Sequence, residues 1–376
     1  MNRQQELLQL EHVGTVLDQL GAQSVFIVAD AEAYAATGAA ARLQAVLGAR
    51  AAALFTRVTY PSMEATVLEG VEALRQAKPD VVLAIGGGAT LDIAKVMNHI
   101  AAQVGDSAAL IRQKVEPVLS GCPLIAVPTT AGSGSEATHF ALVHSEDGGM
   151  HLVAHARMRA GYVVLDSSLT IPHPAAQVAA AGLGTLVLAL ESIWNIQANE
   201  YSISYAHAAV KLLISNIGNE FMGVTDQGRA ALLRASHFAG RSADLVTPAF
   251  LMAMADGLAA RTGVPYGQLA AALLGPLLEY NLQVGTADCA DLRGPHTVQM
   301  RFVRIAQLLN VPSPAYVRRY LEQLLSKLQM PVRVGELGVD SSHVEDVVRT
   351  LPKNLYNTNA RRLTPPLITT LITGAI

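Results

Sequence analysis

Residues 81–95 read VVLAIGGGATLDIAK, and the rest of the chain can be organised around them. Val81–Ile85 is an unbroken apolar run, as in a strand covered on both faces. Three glycines follow at Gly86, Gly87 and Gly88, and Thr90–Ala102 then takes up helical spacing. Thr90 or Asp92 is placed to cap that helix. A strand that runs through a glycine turn into a helix is the unit from which a parallel sheet is wound. The succession recurs at residues 123–138, PLIAVPTTAGSGSEAT, where Leu124–Val127 is the strand and Pro128 sets its exit. Further out, Ser24–Ala29, Ala51–Phe55 and Tyr162–Leu165 are strand candidates, and Met63–Gln76 is a helix candidate. The alternation predicts a doubly wound parallel α/β domain over residues 1–168, with ligands outside the carboxyl ends of its strands.

Beyond Asp166 the pattern changes to Ala-, Leu- and Met-rich segments with 3.6-residue spacing, broken at Gly263-Val264-Pro265 and Val311-Pro312-Ser313-Pro314. An all-helical second domain over residues 169–376 is expected, with its boundary in Ser167–Pro174, where Pro172-His173-Pro174 interrupts any regular element. Ser167–Leu190 holds no Lys, Arg, Asp or Glu, yet those prolines, His173, Gln177 and two glycines make it a loop feeding a buried helix rather than a bilayer span. The opening residues MNRQQELLQLEHVG lack the apolar core of a signal peptide. Cys122 and Cys289 form no framework, so a reducing, cytoplasmic setting is expected.

The bulk numbers narrow the classes of function. The chain has 376 residues, 51% of them hydrophobic and 15% charged. About 25% charged is ordinary for a soluble domain. So much apolar surface excludes a disordered chain or a nucleic-acid coat, and a net charge of −3 gives no pull towards nucleic acid or anionic lipid. The shortage of charge predicts that another subunit covers part of the surface.

Both glycine-rich turns suit a phosphate, because glycine lets the backbone approach closely and a helix N-terminus offers free N–H groups and partial positive charge. In the second turn Thr129, Thr130, Ser133 and Ser135 add hydroxyls, between Gly132 and Gly134. The spacing is not GxGxxG, and either turn alone reads equally as a tight βα connection. Two such turns on one sheet favour a phosphate-bearing cofactor. Asp30, closing SVFIVAD, could accept hydrogen bonds from ribose hydroxyls and repel a 2′-phosphate, favouring NAD over NADP; alone it reads as a helix N-cap.

Taken together these stretches resemble the iron-containing (group III) alcohol dehydrogenase family. GGG-x-x-x-D-x-A-K falls at Gly86–Lys95, PTTAGSGSE at Pro128–Glu136 and VVLD at Val163–Asp166. The register continues through AAGLGTLVLALES near Ala181, ASHFAG near Ala235, VPYG near Val264 and TNARRLT near Thr358. The resemblance implies a nucleotide-binding α/β domain followed by a helical domain, the dehydroquinate synthase-like fold, assembled as a homodimer or larger. It also implies hydride transfer between nicotinamide and a small alcohol or aldehyde, with Fe²⁺ or Zn²⁺ as Lewis acid. The cofactor residues that carry over are Asp30, Gly86, Gly87, Gly88, Thr129, Thr130 and Ser133, while Ala89 stands where the family usually has Ser and Met150 where many relatives place a lysine.

The implied metal set does not carry over. The family uses an Asp and a His one helical turn apart, then two more His, and in register these positions are Gly184, Leu188, Met252 and Tyr266; a further family histidine falls at Asp256. Gly and Leu have no donor atom, a thioether suits soft ions, and a neutral Tyr is a poor ligand, so no Fe or Zn is expected there. No histidine occurs between His173 and His207 or between His237 and His296. His151 and His155 lie in HLVAHARM, a β-loop stretch where a shared metal is not expected, and His139 and His144 lack an acid to complete a site. Without a Lewis acid, the charge on a reacting oxygen needs a positioned donor, and Tyr266 and Asp256 are the polar candidates for catalysis, against the plainer reading that the pocket has filled with packing. The competing expectations are a metal-independent NAD-dependent oxidoreductase, a catalytically silent NAD- or partner-binding subunit, and a sugar-phosphate lyase or cyclase on the related fold.

Overall fold

The computed structural model describes residues 4–112, 117–170, 174–216, 225–246 and 249–374. Among these, the strands in chain order are β1 (Gln5–Leu7), β2 (Ser24–Ala29), β3 (Ala51–Phe55), β4 (Val81–Gly86), β5 (Leu124–Pro128), β6 (Phe140–His144), β7 (Met150–Ala154) and β8 (Tyr162–Val164). Six of them make one sheet in the order β1-β8-β5-β4-β2-β3, and every neighbouring pair is parallel. The expected doubly wound sheet is therefore present. β6 and β7 form a separate antiparallel hairpin. The continuous apolar runs are explained by cover on both faces: Phe26, Val28, Val82 and Ala84 join one apolar cluster, and Val25, Ile27, Leu83 and Ile85 the other.

Two compact units result, Met1–Pro174 with Thr225–His237, and Ala175–Val224 with Phe238–Ile376. In the first, helix Glu64–Ala77 packs on helix Gly88–Ala101 through Gly70, where an added Cβ would lie 2.2 Å from Met97 Cε. Lys95 is buried and reaches from the second of these helices to the hairpin. Its Nζ donates to Thr138 Oγ1 at 2.8 Å and to the Phe140 carbonyl, and it pairs with Asp92 at 2.8 Å.

The second unit is helical among its described residues; its one extended pairing is an isolated bridge between Cys289 and Arg361. Within the stretch Ser167–Leu190, read as a loop feeding a buried helix, the helix runs from Ala175 and continues to Trp194. It is long and apolar enough to cross a membrane, but 78% of its apolar window is buried inside the protein, which is how a core helix behaves. Pro172 and His173, which mark the sequence boundary, lie outside the described residues. Helix Tyr266–Leu282 crosses Ala175–Trp194 in near contact: a Cβ on Gly267 would lie 1.8 Å from the Ala180 carbonyl oxygen. Trp194 stacks on Phe302 with ring centroids 5.7 Å apart.

One buried titratable group in the first unit ties stability to pH. His99 is buried with its ring stacked on His155, centroids 4.8 Å apart. Burial first, then the positive charge of His155 and Arg157, lowers its pKa to about 4. An unfolded His titrates near 6.5, so between pH 6.5 and 4 the unfolded chain takes up a proton that the folded one refuses. Stability is complete above that window and falls as the pH drops through it, by about 2 kcal/mol at pH 5 for this group alone. Urea titrations at pH 7 and pH 5 should show the loss, and His99→Phe should remove most of the difference; an unchanged difference would refute the assignment.

Candidate functional site

The sheet order sets where a ligand can enter the first unit. From β2 the chain moves outward to β3, then returns past β2 to β4 and onward to β5, so the winding reverses between β2 and β4. At such a reversal the connections leave in opposite directions and open a crevice outside the carboxyl ends of the strands. Ala29 pairs with Ile85, and Gly86 with Pro128, which brings Asp30 and both glycine-rich turns to one edge. Thr129 N donates to the Gly86 carbonyl at 2.9 Å and closes the two turns on each other.

Helix Gly88–Ala101 starts from Gly87, whose backbone is extended and which gives no side-chain cap. The expected capping by Thr90 or Asp92 is not observed. Thr90 is buried inside the helix against Gly86, and Asp92 is committed to Lys95. The cap position is thus left to the backbone alone. A Cβ on Gly87 would lie 3.3 Å from Thr130 Oγ1, and one on Gly88 only 2.6 Å from Ser133 Oγ. Gly87, Gly88, Ala89, Thr130, Gly132 and Ser133 each keep part of their surface accessible, while Gly86, Thr129 and Ser135 behind them are buried. The arrangement is a small cradle of N–H and O–H donors at a helix N-terminus, which fits the phosphates of a dinucleotide. Asp30 is half-buried at its side and caps helix Ala31–Ala36, accepting from Ala33 N at 2.8 Å. Met150 is buried at the start of β7.

His151 and His155 do not share a site: His151 lies 3.3 Å from Ser145 Oγ and 4.0 Å from a Glu64 oxygen, whereas His155 stacks on His99. The VVLD aspartate is an anchor. Asp166 accepts from Leu10 N at 3.1 Å and Arg42 Nη2 at 2.6 Å, fixing the exit of β8. Sequence reasoning missed Glu136 and His237 as a pair, although both fall in the quoted motifs. His237 is fully buried with Nδ1 3.3 Å from a Glu136 carboxylate oxygen.

In the second unit the positions in register with the family's metal ligands come together. Gly184 faces the ring of Tyr266, where an added Cβ would lie 3.0 Å from Cε1. Leu188 is buried one turn along the same helix. Glu191, also missed from sequence, is buried further along and spans to the start of helix Phe250–Thr262. Its two oxygens accept from Leu251 N at 2.6 Å and Met252 N at 3.1 Å. Burial pushes the Glu191 carboxyl up to about 8 despite those two amides. Burial, and then the charges of Glu191 and Asp256, push the Tyr266 phenol well above its ordinary value, so it stays neutral; part of the residue's surface is nonetheless accessible, as is part of Met252 and Asp256. Gly184, Leu188, Met252 and Tyr266 offer a divalent ion no ligand set, and the Tyr266 ring takes up the space beside Gly184. Among the described residues no three His, Cys, Asp or Glu side chains gather as a metal would need.

A doubly wound sheet with a donor cradle at its switch point, followed by a helical unit, defines a nucleotide-dependent α/β protein of two-part build. Residues 5–167 match the iron-containing alcohol dehydrogenase family model, and residues 178–376 match that of the Fe-containing alcohol dehydrogenase family, C-terminal. The chain belongs to the iron-containing alcohol dehydrogenase family. It is 32% identical over 314 residues to the phosphonoacetaldehyde reductase of Streptomyces viridochromogenes, covering 81% of this chain and 78% of that protein. It is 29% identical over 294 residues to the 1,3-propanediol dehydrogenase of Klebsiella pneumoniae, covering 76% and 73%. Its fold is that of the sulfoacetaldehyde reductase from Bifidobacterium kashiwanohense, solved in complex with NAD+, at TM-score 0.84 and 20% identity over 100% of this chain and 97% of that one.

The contact between Gly184 and Tyr266 yields a mutational test. Gly184→Asp places a carboxylate where the ring now sits and should cost about 2 kcal/mol by overpacking. Tyr266→Ala in the same chain should recover a large part of it, measured as the coupling in a double-mutant cycle of urea midpoints. Additive effects would show that the two side chains do not compete for that space.

Proposed function

We propose that this chain is an NAD-dependent oxidoreductase that interconverts a small alcohol and its aldehyde without the divalent metal of its family. The observation that carries the proposal is the combination of an intact donor cradle in the first unit with a neutral phenol, Tyr266, at a former ligand position in the second. Nicotinamide, when bound, supplies or accepts the hydride. The cradle at Gly87, Gly88, Thr130 and Ser133 holds the dinucleotide phosphates, and Thr129 ties its two turns together. Asp30 stands at the ribose end and favours NAD over NADP, because a 2′-phosphate would meet its negative charge. Hydride addition to a carbonyl carbon builds negative charge on its oxygen, and the neutral Tyr266 O–H would be the proton donor that answers it. Asp256 is assigned as its substrate-contacting partner.

A small alcohol or aldehyde as substrate class is in keeping with relatives named for phosphonoacetaldehyde, sulfoacetaldehyde and 1,3-propanediol. Free Cys122 and Cys289 agree with a reducing, cytoplasmic setting, and the low charge content with a homodimer or larger assembly. The absence of donor atoms at Gly184 and Leu188 also supports a second reading, a silent NAD-binding subunit.

Two variants separate binding from chemistry. Gly88→Ala drives a Cβ into Ser133 and should weaken NADH binding by about tenfold, about 1.4 kcal/mol, seen by calorimetric titration. Tyr266→Phe should leave NADH affinity alone and lower aldehyde turnover by about a hundredfold or more. Turnover unchanged in Tyr266→Phe would remove its catalytic role. NADH binding with no turnover on any aldehyde of a small panel would favour the silent subunit, and stoichiometric iron or zinc in the purified protein would overturn the metal-free assignment.

A further inference from the structure

We propose that His237 is a positioning residue for the cofactor cradle: held between Glu136 and Glu6, it fixes Glu136 and through it the Gly132–Ser135 turn that lies over Gly88. The inference rests on the reading that this turn binds a dinucleotide. It starts from the loop's own geometry. Ser133 touches the Gly88 backbone at one end of the turn, and Glu136 follows the turn directly, in the short helical stretch Ser135–Ala137. Whatever holds Glu136 therefore sets the height of Ser133 over the glycines.

Two residues hold it, Gln4 and His237, and each is anchored by a second contact of its own. Gln4 Nε2 donates to the Glu136 carbonyl oxygen at 2.8 Å and to the Ala160 carbonyl oxygen at 3.0 Å, tying the backbone to the sheet edge. His237 Nδ1 lies 3.3 Å from Glu136 Oε1, and its Nε2 lies 3.5 Å from Glu6 Oε1 on β1. His237 and Glu136 are both buried, so their interaction is poorly screened, whereas Glu6 is partly exposed. With a carboxylate at each ring nitrogen, only the doubly protonated imidazolium donates in both directions. Burial alone would lower the pKa of this histidine. Glu136 and Glu6, the charged groups acting on it, more than reverse that and raise it.

The sign of the pH effect follows. A histidine raised by partners keeps its clamp below its ordinary value and loses it as the pH rises through the raised one. NADH affinity should therefore be greatest on the acid side and decline towards alkaline pH, with NADH itself carrying a constant charge over that range. A residue that merely filled space would show no such profile.

The test is NADH binding by calorimetry from pH 6 to pH 9 on the full chain, with urea midpoints as a check on folding. His237→Gln keeps a neutral donor and removes the charge; it should weaken binding about threefold to thirtyfold at pH 6 and flatten the profile. Glu6→Gln leaves Glu136 in place and removes one of the two carboxylates that favour the proton on His237, so it should move the decline in affinity to lower pH. If His237→Gln does not fold, the displacement in Glu6→Gln decides alone. A parent chain that binds NADH, with both variants showing its affinity and its profile, overturns the clamp and leaves the cofactor reading intact. A parent chain that fails to bind NADH sinks the cofactor reading itself.

Discussion

The in-register pairing of β4 with β5 is the constraint on which the first unit depends. Gly86 opposite Pro128 means that two loops leave the sheet side by side, and the backbone at Gly88 must then accept Ser133 at a distance no Cβ allows. Loop hydroxyls and helix amides can converge on one anion only if the strands beneath them share a register. The buried polar contacts behind the cradle follow from the same demand. Lys95 locks Thr138 and the Phe140 carbonyl to the helix below, and Thr129 N closes on the Gly86 carbonyl, so both ends of the second turn are held by groups that water does not reach.

This accounts for the uneven legibility of the chain. β2 falls where its apolar run places it, and β4 and β5 each extend by one residue beyond theirs, because a strand buried on both faces has no alternative reading at that length; β3 also falls where expected, although it is an edge strand with most of its residues exposed. β1 has three residues and depends on its pairing with β8, so it carries no pattern of its own. The helix cap was misread for a comparable reason. Thr90 and Asp92 have the right chemistry for a cap, but Thr90 is buried over Gly86 and Asp92 is drawn to Lys95, and both facts are tertiary. Asp30, by contrast, does the local job its residue type favours.

The candidate site divides along the same line. The cradle residues could be named from two loops because their role lies in the backbone and in hydroxyls at fixed offsets. Glu136 with His237, far apart in sequence, could not, since nothing in either motif records that the imidazole stands between carboxylates from β1 and from the loop. Glu191 is the lone acid in an apolar helix, and its burial is intelligible only once the amides of Leu251 and Met252 are seen to meet it.

Those amides also show how helices of the second unit are held together around the positions in register with the family's ligands. Here Glu191 ties the start of helix Phe250–Thr262 to helix Ala175–Trp194 by accepting from both Leu251 and Met252. The start of helix Tyr266–Leu282 is fixed on that same helix by backbone contact, since no side chain fits between Gly267 and the Ala180 carbonyl. A carboxylate taking two N-terminal amides satisfies groups that would otherwise be left bare, and a glycine crossing brings two helices closer than ordinary packing permits. Neither device requires an ion. Met252, Asp256 and Tyr266 are thus carried on segments that the protein positions through its own hydrogen bonds and close backbone packing.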